Sequence, residues 1–256
     1  MKIPEAGTDA NEERPRPRLT IVIPIYNEEA ILHAAVIDLI DRLAELDGSF
    51  AGDAPDYQLL LAENGSRDAT VEIAQELAER FAQVSTFSVG EPNYGMALRR
   101  GIIEARGHVV ICDEIDLCDT DFYERALQVL DGGGADLVVG SKLLDASSDE
   151  RPFLRHFASQ VINGMLRIAL GFKGTDTHGL KAMRRDAMIE TVQRCVIDKD
   201  LFASEMVIRA ERGGVATREI PVRVLEKRPP SIHLFRRVPA VLRGIAKLFI
   251  AIRLRG

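Results

Sequence analysis

From residue 19 to about residue 140 the chain alternates between short β-branched apolar runs and stretches with helical periodicity. That alternation constrains the fold more than any other feature. The run Leu19–Ile25 (LTIVIPI) is too short and too apolar for anything but a buried strand. From Glu28 the apolar residues Ile31, Leu32, Ala35, Leu39, Leu43 and Leu46 recur near 3.6-residue spacing, and Gly48 with the Gly-Asp-Ala-Pro stretch ends that helix. The same reasoning predicts strands over 57–62, 84–89, 108–112 and 137–139, with helices over 71–81, 97–105 and 122–130. Strand and helix in strict turn predict a Rossmann-like α/β domain: a mostly parallel sheet with helices on both faces. In such sheets ligands bind outside the carboxyl ends of the strands, so the residues just after each strand are the ones to inspect.

The second half is less regular. It predicts helices over 153–170 and 201–212, a strand over 216–224 and a final helix over 238–254. The 256 residues show no repeat and no boundary for a second domain. The expected organisation is a disordered arm over 1–18, one domain over 19–225 and a basic amphipathic segment over 226–256. The arm is rich in Pro, Arg and acidic residues and lacks the apolar run of a signal peptide. No window has roughly 18 uninterrupted apolar residues, as a membrane span would. A net charge of −6 argues against nucleic acid as a partner. Cys112, Cys118 and Cys195 form no C-x-x-C pair, which fits a reducing, cytoplasmic setting.

Three strand ends carry chemistry. After the first comes Pro24-Ile-Tyr26-Asn27-Glu28-Glu29. Tyr26 offers a flat face to a base, and Asn27 and Glu28 offer acceptors to ribose hydroxyls; equally, Asn27 suits a helix N-cap and the acids suit a helix dipole. After the second comes Glu63-Asn64-Gly65-Ser66-Arg67-Asp68. Ser66 or Asp68 suits a cap, which accounts for all but Glu63. After the fourth comes Asp113-Glu114-Ile115-Asp116-Leu117-Cys118-Asp119, four acids in seven positions. Such crowding calls for a positive partner, and Mg²⁺ or Mn²⁺ takes carboxylate oxygens while leaving positions for phosphate. With strand alternation, Glu114 and Asp116 face one way and Asp113 the other; Asp119 and Asp121 read as helix-start residues.

Together with EPNYGMALRRGI, VVGSK and DTHGLKAMRR, in that order, these segments resemble family 2 glycosyltransferases of the GT-A fold, and within them the polyprenyl- or dolichol-phosphate sugar synthases. The resemblance covers roughly residues 19–225. It implies transfer of a hexose from a nucleoside-diphosphate sugar, with inversion and a divalent metal, to an acceptor such as polyprenyl phosphate. It implies that Pro24, Tyr26, Asn27, Glu28, Glu63, Asn64, Gly95 and Asp113 hold the nucleotide. Glu114 and Asp116 stand where the family has its Asp-x-Asp metal ligands, with Asp113 as an alternative to Glu114. Asp176 stands near the sugar and acceptor as a base or positioning group, and Lys142, Lys181, Arg184 and Arg185 are placed to hold an anionic acceptor. The chain departs from the family at Glu63-Asn64, where Asp-Asp is usual, at Glu114, and around Asn93-Tyr94-Gly95, where a Lys is often found. Arg228-Pro-Pro-Ser stands in place of a Gly-x-Ser-Lys pattern.

From Ser231 onward the chain carries Arg236, Arg237, Arg243, Lys247, Arg253 and Arg255 and no acid, interleaved with apolar residues. That pattern suits a helix lying on an anionic membrane surface, or one packed on the domain. The expectation is peripheral attachment at the inner membrane face. Two rival functions are a nucleotidyltransferase, disfavoured because no glycine-rich loop follows the first strand, and a non-catalytic nucleotide-binding relative.

Overall fold

A computed structural model describes residues 16–46, 55–141, 144, 164, 167–177, 179–222 and 234–254, apart from the side chains of 200, 234–241 and 254. The predicted alternation is present: β1 (Leu19–Ile25), α1 (Leu32–Leu46), β2 (Tyr57–Glu63), α2 (Thr70–Arg80), β3 (Val84–Ser88), α3 (Tyr94–Glu104), β4 (Val109–Cys112), α4 (Thr120–Asp131) and β5 (Leu137–Ser141). Then come β6 (Lys181–Arg184), α5 (Arg185–Arg194), α6 (Phe202–Arg212), β7 (Thr217–Pro221) and α7 (Leu234–Phe249), which continues as a π-helical turn over Ile250–Leu254. Of the helix expected over 153–170, most lies outside the described residues.

The strands form one sheet in the order β3-β2-β1-β4-β6-β5-β7. Its two faces follow from the period-2 alternation of side chains. In β1, Leu19, Ile21, Ile23 and Ile25 pack against α1, α2 and α4, while Val22 points to the opposite face with α3, α5 and α6. The sheet is therefore a layer between two helical layers, as the sequence predicts.

β6 and α5 are not predicted by the sequence. β6 pairs antiparallel with both β4 and β5, whereas β4 pairs with β1 and β5 with β7 in parallel. Its start, Lys181, lies beside Cys112 at the carboxyl ends of the parallel strands, and its end, Arg184, lies beside Val109 at their amino ends.

Both termini of the described chain are tied to the domain. The Pro17 and Arg18 carbonyls accept from the His108 and Val109 N–H groups, and Arg16 pairs with Asp186 at 2.8 Å. At the other end Leu248, Ala251 and Ile252 are buried, and Gly244 sits against Leu201. No helix among the described residues is long and apolar enough to cross a membrane.

Candidate active site

The strand ends form two linked structures. The first joins the loops after β1 and β2. The Asn27 N–H donates to Ser66 Oγ (3.0 Å), and Asn27 Oδ1 accepts from the Arg67 N–H (2.9 Å). The Glu28 N–H donates to Thr70 Oγ1 (2.8 Å), and Glu29 Oε2 accepts from the Ala69 N–H (3.0 Å). Asn27 does not cap α1, which begins five residues later; it holds a left-handed turn at φ 54°. Asp68 accepts from the Thr70 N–H and hydroxyl, so the turn before α2 is organised as its polar sequence suggests.

Glu63 is buried at the end of β2, where its carboxylate accepts from the Ser66 N–H (2.5 Å) and from the Ser88 hydroxyl. Burial raises its pKa, but these hydrogen bonds outweigh burial and hold the acid below its usual range. Gly65, at φ 73°, permits the turn, and a Cβ there would lie 2.5 Å from the Glu91 carbonyl carbon. Asn64, also buried, accepts from the Asn93 N–H. Asn93 Oδ1 in turn caps α3 through the Met96 N–H (3.1 Å) and accepts from the Lys199 N–H (2.9 Å). The first turn of α3 lies so close to this segment that a Cβ on Gly95 would sit 2.1 Å from the Lys199 carbonyl oxygen. Glu63, Asn64 and Gly95 thus brace the loops at these strand ends, with their polar groups or backbone committed to neighbouring segments. Pro24 is half-buried in β1, and Tyr26 and Asn27 are the residues of this set with open surface.

The second structure is the acidic turn after β4. It is a turn and not a continuing strand, since the Glu114 carbonyl accepts from the Leu117 and Cys118 N–H groups. Burial still alternates: Asp113 and Ile115 point inward, Glu114 is exposed and Asp116 is half-buried. Asp113 Oδ1 accepts from the Glu114 N–H (2.6 Å), and Oδ2 from the Asp119 N–H (3.0 Å) and the Tyr123 hydroxyl (2.5 Å). Burial pushes Asp113 up to about 7 against the pull of these donors. Asp113 therefore staples the turn from inside, and of the three acids Glu114 and Asp116 are the ones turned outward. Asp119 caps α4 through the Phe122 N–H (3.0 Å), as expected.

Tyr94, the first residue of α3, was not singled out in the sequence. A third of its surface is open, and burial first, then the charges of Glu114, Cys112 and Asp113, push the pKa of its hydroxyl up. The available signal was its position in the connection that follows the carboxyl end of β3.

Lys181 is buried beside Cys112, and its Nζ donates to the Gly179 carbonyl at 2.6 Å. It lies between the acidic turn at the end of β4 and the Asp176 turn, which Thr175 ties to Ser141 at the end of β5 (2.6 Å). Two strand spacings separate those ends, roughly 10 Å. Arg184 and Arg185 do not join this group. Because β6 runs antiparallel, they emerge at the opposite edge of the sheet. There Arg184 bonds the Leu130 carbonyl and pairs with Asp136, and Arg185 donates to the Ile103 carbonyl (2.8 Å). Their expected acceptor role is corrected accordingly. Lys142 and His178 lie outside the described residues.

Known proteins share this architecture. The chain is 30% identical over 223 residues to the glycosyltransferase AglD of Haloferax volcanii, covering 86% of this chain but only 34% of that protein. It is 26% identical over 238 residues to the polyprenol monophosphomannose synthase of Mycolicibacterium smegmatis, covering 87% and 83% of the two chains. Among solved structures, glucosyl-3-phosphoglycerate synthase of Mycobacterium tuberculosis with uridine diphosphate superposes with a TM-score of 0.62 at 21% identity, over 92% of this chain and 79% of that one, which establishes the shared fold. The model of "Glycosyl transferase family 2" matches residues 20–192, and the chain belongs to that family.

Proposed function

We propose that this chain transfers a hexose from a nucleoside-diphosphate sugar to the phosphate of a membrane lipid of the polyprenyl-phosphate type. The observation that carries the reading is the arrangement at the strand ends: outward carboxylates on the acidic turn, Lys181 on the next strand, and the Asp176 turn one strand further. Relatives named as dolichyl-phosphate β-glucosyltransferase (Trichomonas vaginalis) and polyprenol monophosphomannose synthase support the acceptor class.

The donor set fits a divalent cation shared with a diphosphate. Among the described residues no group of three or more His, Cys, Asp or Glu is assembled to hold an ion unaided. Glu114 and Asp116 offer two hard oxygen ligands, the number with which Mg²⁺ or Mn²⁺ is usually held when phosphates complete its sphere. The cation supplies Lewis-acid stabilisation of the diphosphate leaving group. Tyr26 and the linked loops after β1 and β2 form the nucleoside wall. Lys181 adds positive charge where an anionic acceptor approaches, and Asp176 orients that acceptor or takes its proton if it is a hydroxyl. A phosphate acceptor is already ionised, so in the favoured reading Asp176 orients. The family's chemistry supports inversion at the anomeric carbon.

Membrane contact is part of the same reading. On α7 and the turn that follows, Leu242, Phe249 and Ile250 are exposed, next to exposed Arg243, Lys247 and Arg253. That face suits an anionic bilayer surface, where each cation contributes about 1 kcal/mol. It supports attachment at the inner membrane face.

The deciding experiment is calorimetry of UDP, GDP and dTDP with and without Mn²⁺, on wild type and Asp116→Ala. Metal-dependent binding of one nucleotide, lost in the variant, is expected. A folded wild type that binds none of them overturns the reading.

A further inference from the structure

Glu219 lies in β7, three strands from β4 and its acidic turn, in a stretch read from sequence only as a strand. Its carboxylate is nonetheless spent on one turn. Oε1 accepts from the N–H groups of Thr175 (2.6 Å) and Asp176 (3.2 Å), and Oε2 from the Thr175 hydroxyl (2.7 Å). With the Thr175 hydroxyl donating to Glu219, Ser141 Oγ, 2.6 Å away, is left to donate to Thr175 Oγ1. Ser141 is fully buried at the end of β5, so the relay fastens the turn to two strands at once. The turn also leaves no room for alternatives. A Cβ on Gly174 would lie 2.6 Å from Glu219 Oε1 and 2.7 Å from the Phe172 ring. On the other side of Asp176, Thr177 Oγ1 and Ser204 Oγ, both buried, are 2.9 Å apart.

We infer that Glu219 is a positioning residue for transfer: it fixes the backbone of the Thr175–Asp176 turn so that the Asp176 carboxylate stands at a set distance from the Glu114–Asp116 turn. The inference rests on the reading of Asp176 as the acceptor-side group. Three donors converge on Glu219, so both of its oxygens are committed to the turn. Its work is geometric. Misplacement of a reacting group by about 1 Å costs on the order of 100-fold in rate, so a turn held by one carboxylate is a point of leverage.

The test compares Glu219→Ala, Glu219→Gln, Asp176→Asn and the Glu219→Ala/Asp176→Asn double variant. Transfer is followed from UDP-glucose and from GDP-mannose to phytanyl phosphate with Mn²⁺, and amide hydrogen exchange is followed in parallel. In Glu219→Ala the Thr175 and Asp176 amides are expected to lose protection while β1 and β4 keep theirs. Transfer is expected to fall on the order of 100-fold with nucleotide affinity unchanged. Glu219→Gln is expected to stay within a few-fold of wild type, since the amide oxygen still accepts both N–H groups and the Thr175 hydroxyl can reverse. The double variant is expected to be no slower than the slower single variant, because both act through one group. Wild-type exchange or wild-type transfer in Glu219→Ala overturns the inference. So does an equal loss in Gln and Ala, which assigns the effect to charge, or full additivity in the double variant. A wild type that transfers from neither donor, or wild-type transfer by Asp176→Asn, instead overturns the acceptor-side reading and the inference with it.

Discussion

Arg209 on α6 reaches the carbonyl of Ala251 at 2.8 Å, while its Nε is held at 2.8 Å by Glu205, a carboxylate with no solvent exposure. The other Glu205 oxygen accepts from the Val196 and Ile197 N–H groups (3.0 and 2.7 Å). One buried ion pair therefore joins the C-terminal turn to the segment leading to Lys199, which lies against α3. Breaking such a pair leaves an uncompensated charge, at a cost of about 3–5 kcal/mol. Arg209→Leu is expected to lower unfolding free energy by about that amount in a urea melt; a loss under 1 kcal/mol would show the pair to be dispensable.

The C-terminal helix must be tested by point changes. Deleting it would strip Leu248, Ala251 and Ile252 from the core and confuse unfolding with lost membrane contact. Phe249→Glu and Ile250→Glu alter exposed positions only. Both are expected to reduce co-sedimentation with phosphatidylglycerol vesicles at least tenfold while leaving the melting temperature within a few degrees. Unchanged binding in both would move the membrane contact elsewhere.

Asp113 and Asp116 are expected to fail differently. Asp116→Ala should leave the fold intact and cut metal-dependent transfer by about 100- to 1,000-fold, by analogy with removal of one group that stabilises developing charge. Asp113→Ala leaves the Tyr123 hydroxyl and the Asp119 N–H without their acceptor, so it should cost about 1–3 kcal/mol of stability. Thermal melts and Mn²⁺ titrations of the two variants, read side by side, separate these roles.

Glu63 gives a pH signature. Its folded pKa lies below the ordinary 4.5, so its ionised form is favoured by folding. Its contribution is present above about pH 4.5 and is lost as pH falls through the lower folded value. Between pH 6 and pH 3 wild type should lose more stability than Glu63→Gln. Parallel melting curves across that range would rule this out.

The parallel half of the fold was legible because its strands are short apolar runs alternating with stretches of helical period; β1 coincides with its predicted span. β6 was not, because four residues, KAMR, give no periodicity and only their pairing partners make them a strand. That one omission misplaced two candidate residues. Read as a continuous segment, Lys181, Arg184 and Arg185 looked like a cluster, whereas the strand between them carries the arginines to the far edge. At the site, several side chains are engaged within the fold in ways the sequence did not disclose. Glu63 and Asn64 looked like groups for a ligand, but burial commits them to Ser66 in the same turn and to Ser88 and Asn93, two partners distant in sequence that no local pattern discloses. The helix predicted over 97–105 begins three residues earlier, at Tyr94, with Asn93 as its cap.

The reversed direction of β6 has a consequence for how such a chain can diversify. A parallel crossover must carry the chain from one edge of the sheet to the other, so its length is bound to the sheet's height. The connection from Ser141 to Lys181 leaves and returns at the same edge, the one bearing the carboxylates. Residues can be gained or lost there without disturbing a strand register, and the excursion still begins and ends at the edge that bears the carboxylates. A scaffold with this topology can vary the lining of its carboxylate edge by editing a single excursion while its sheet stays as it is.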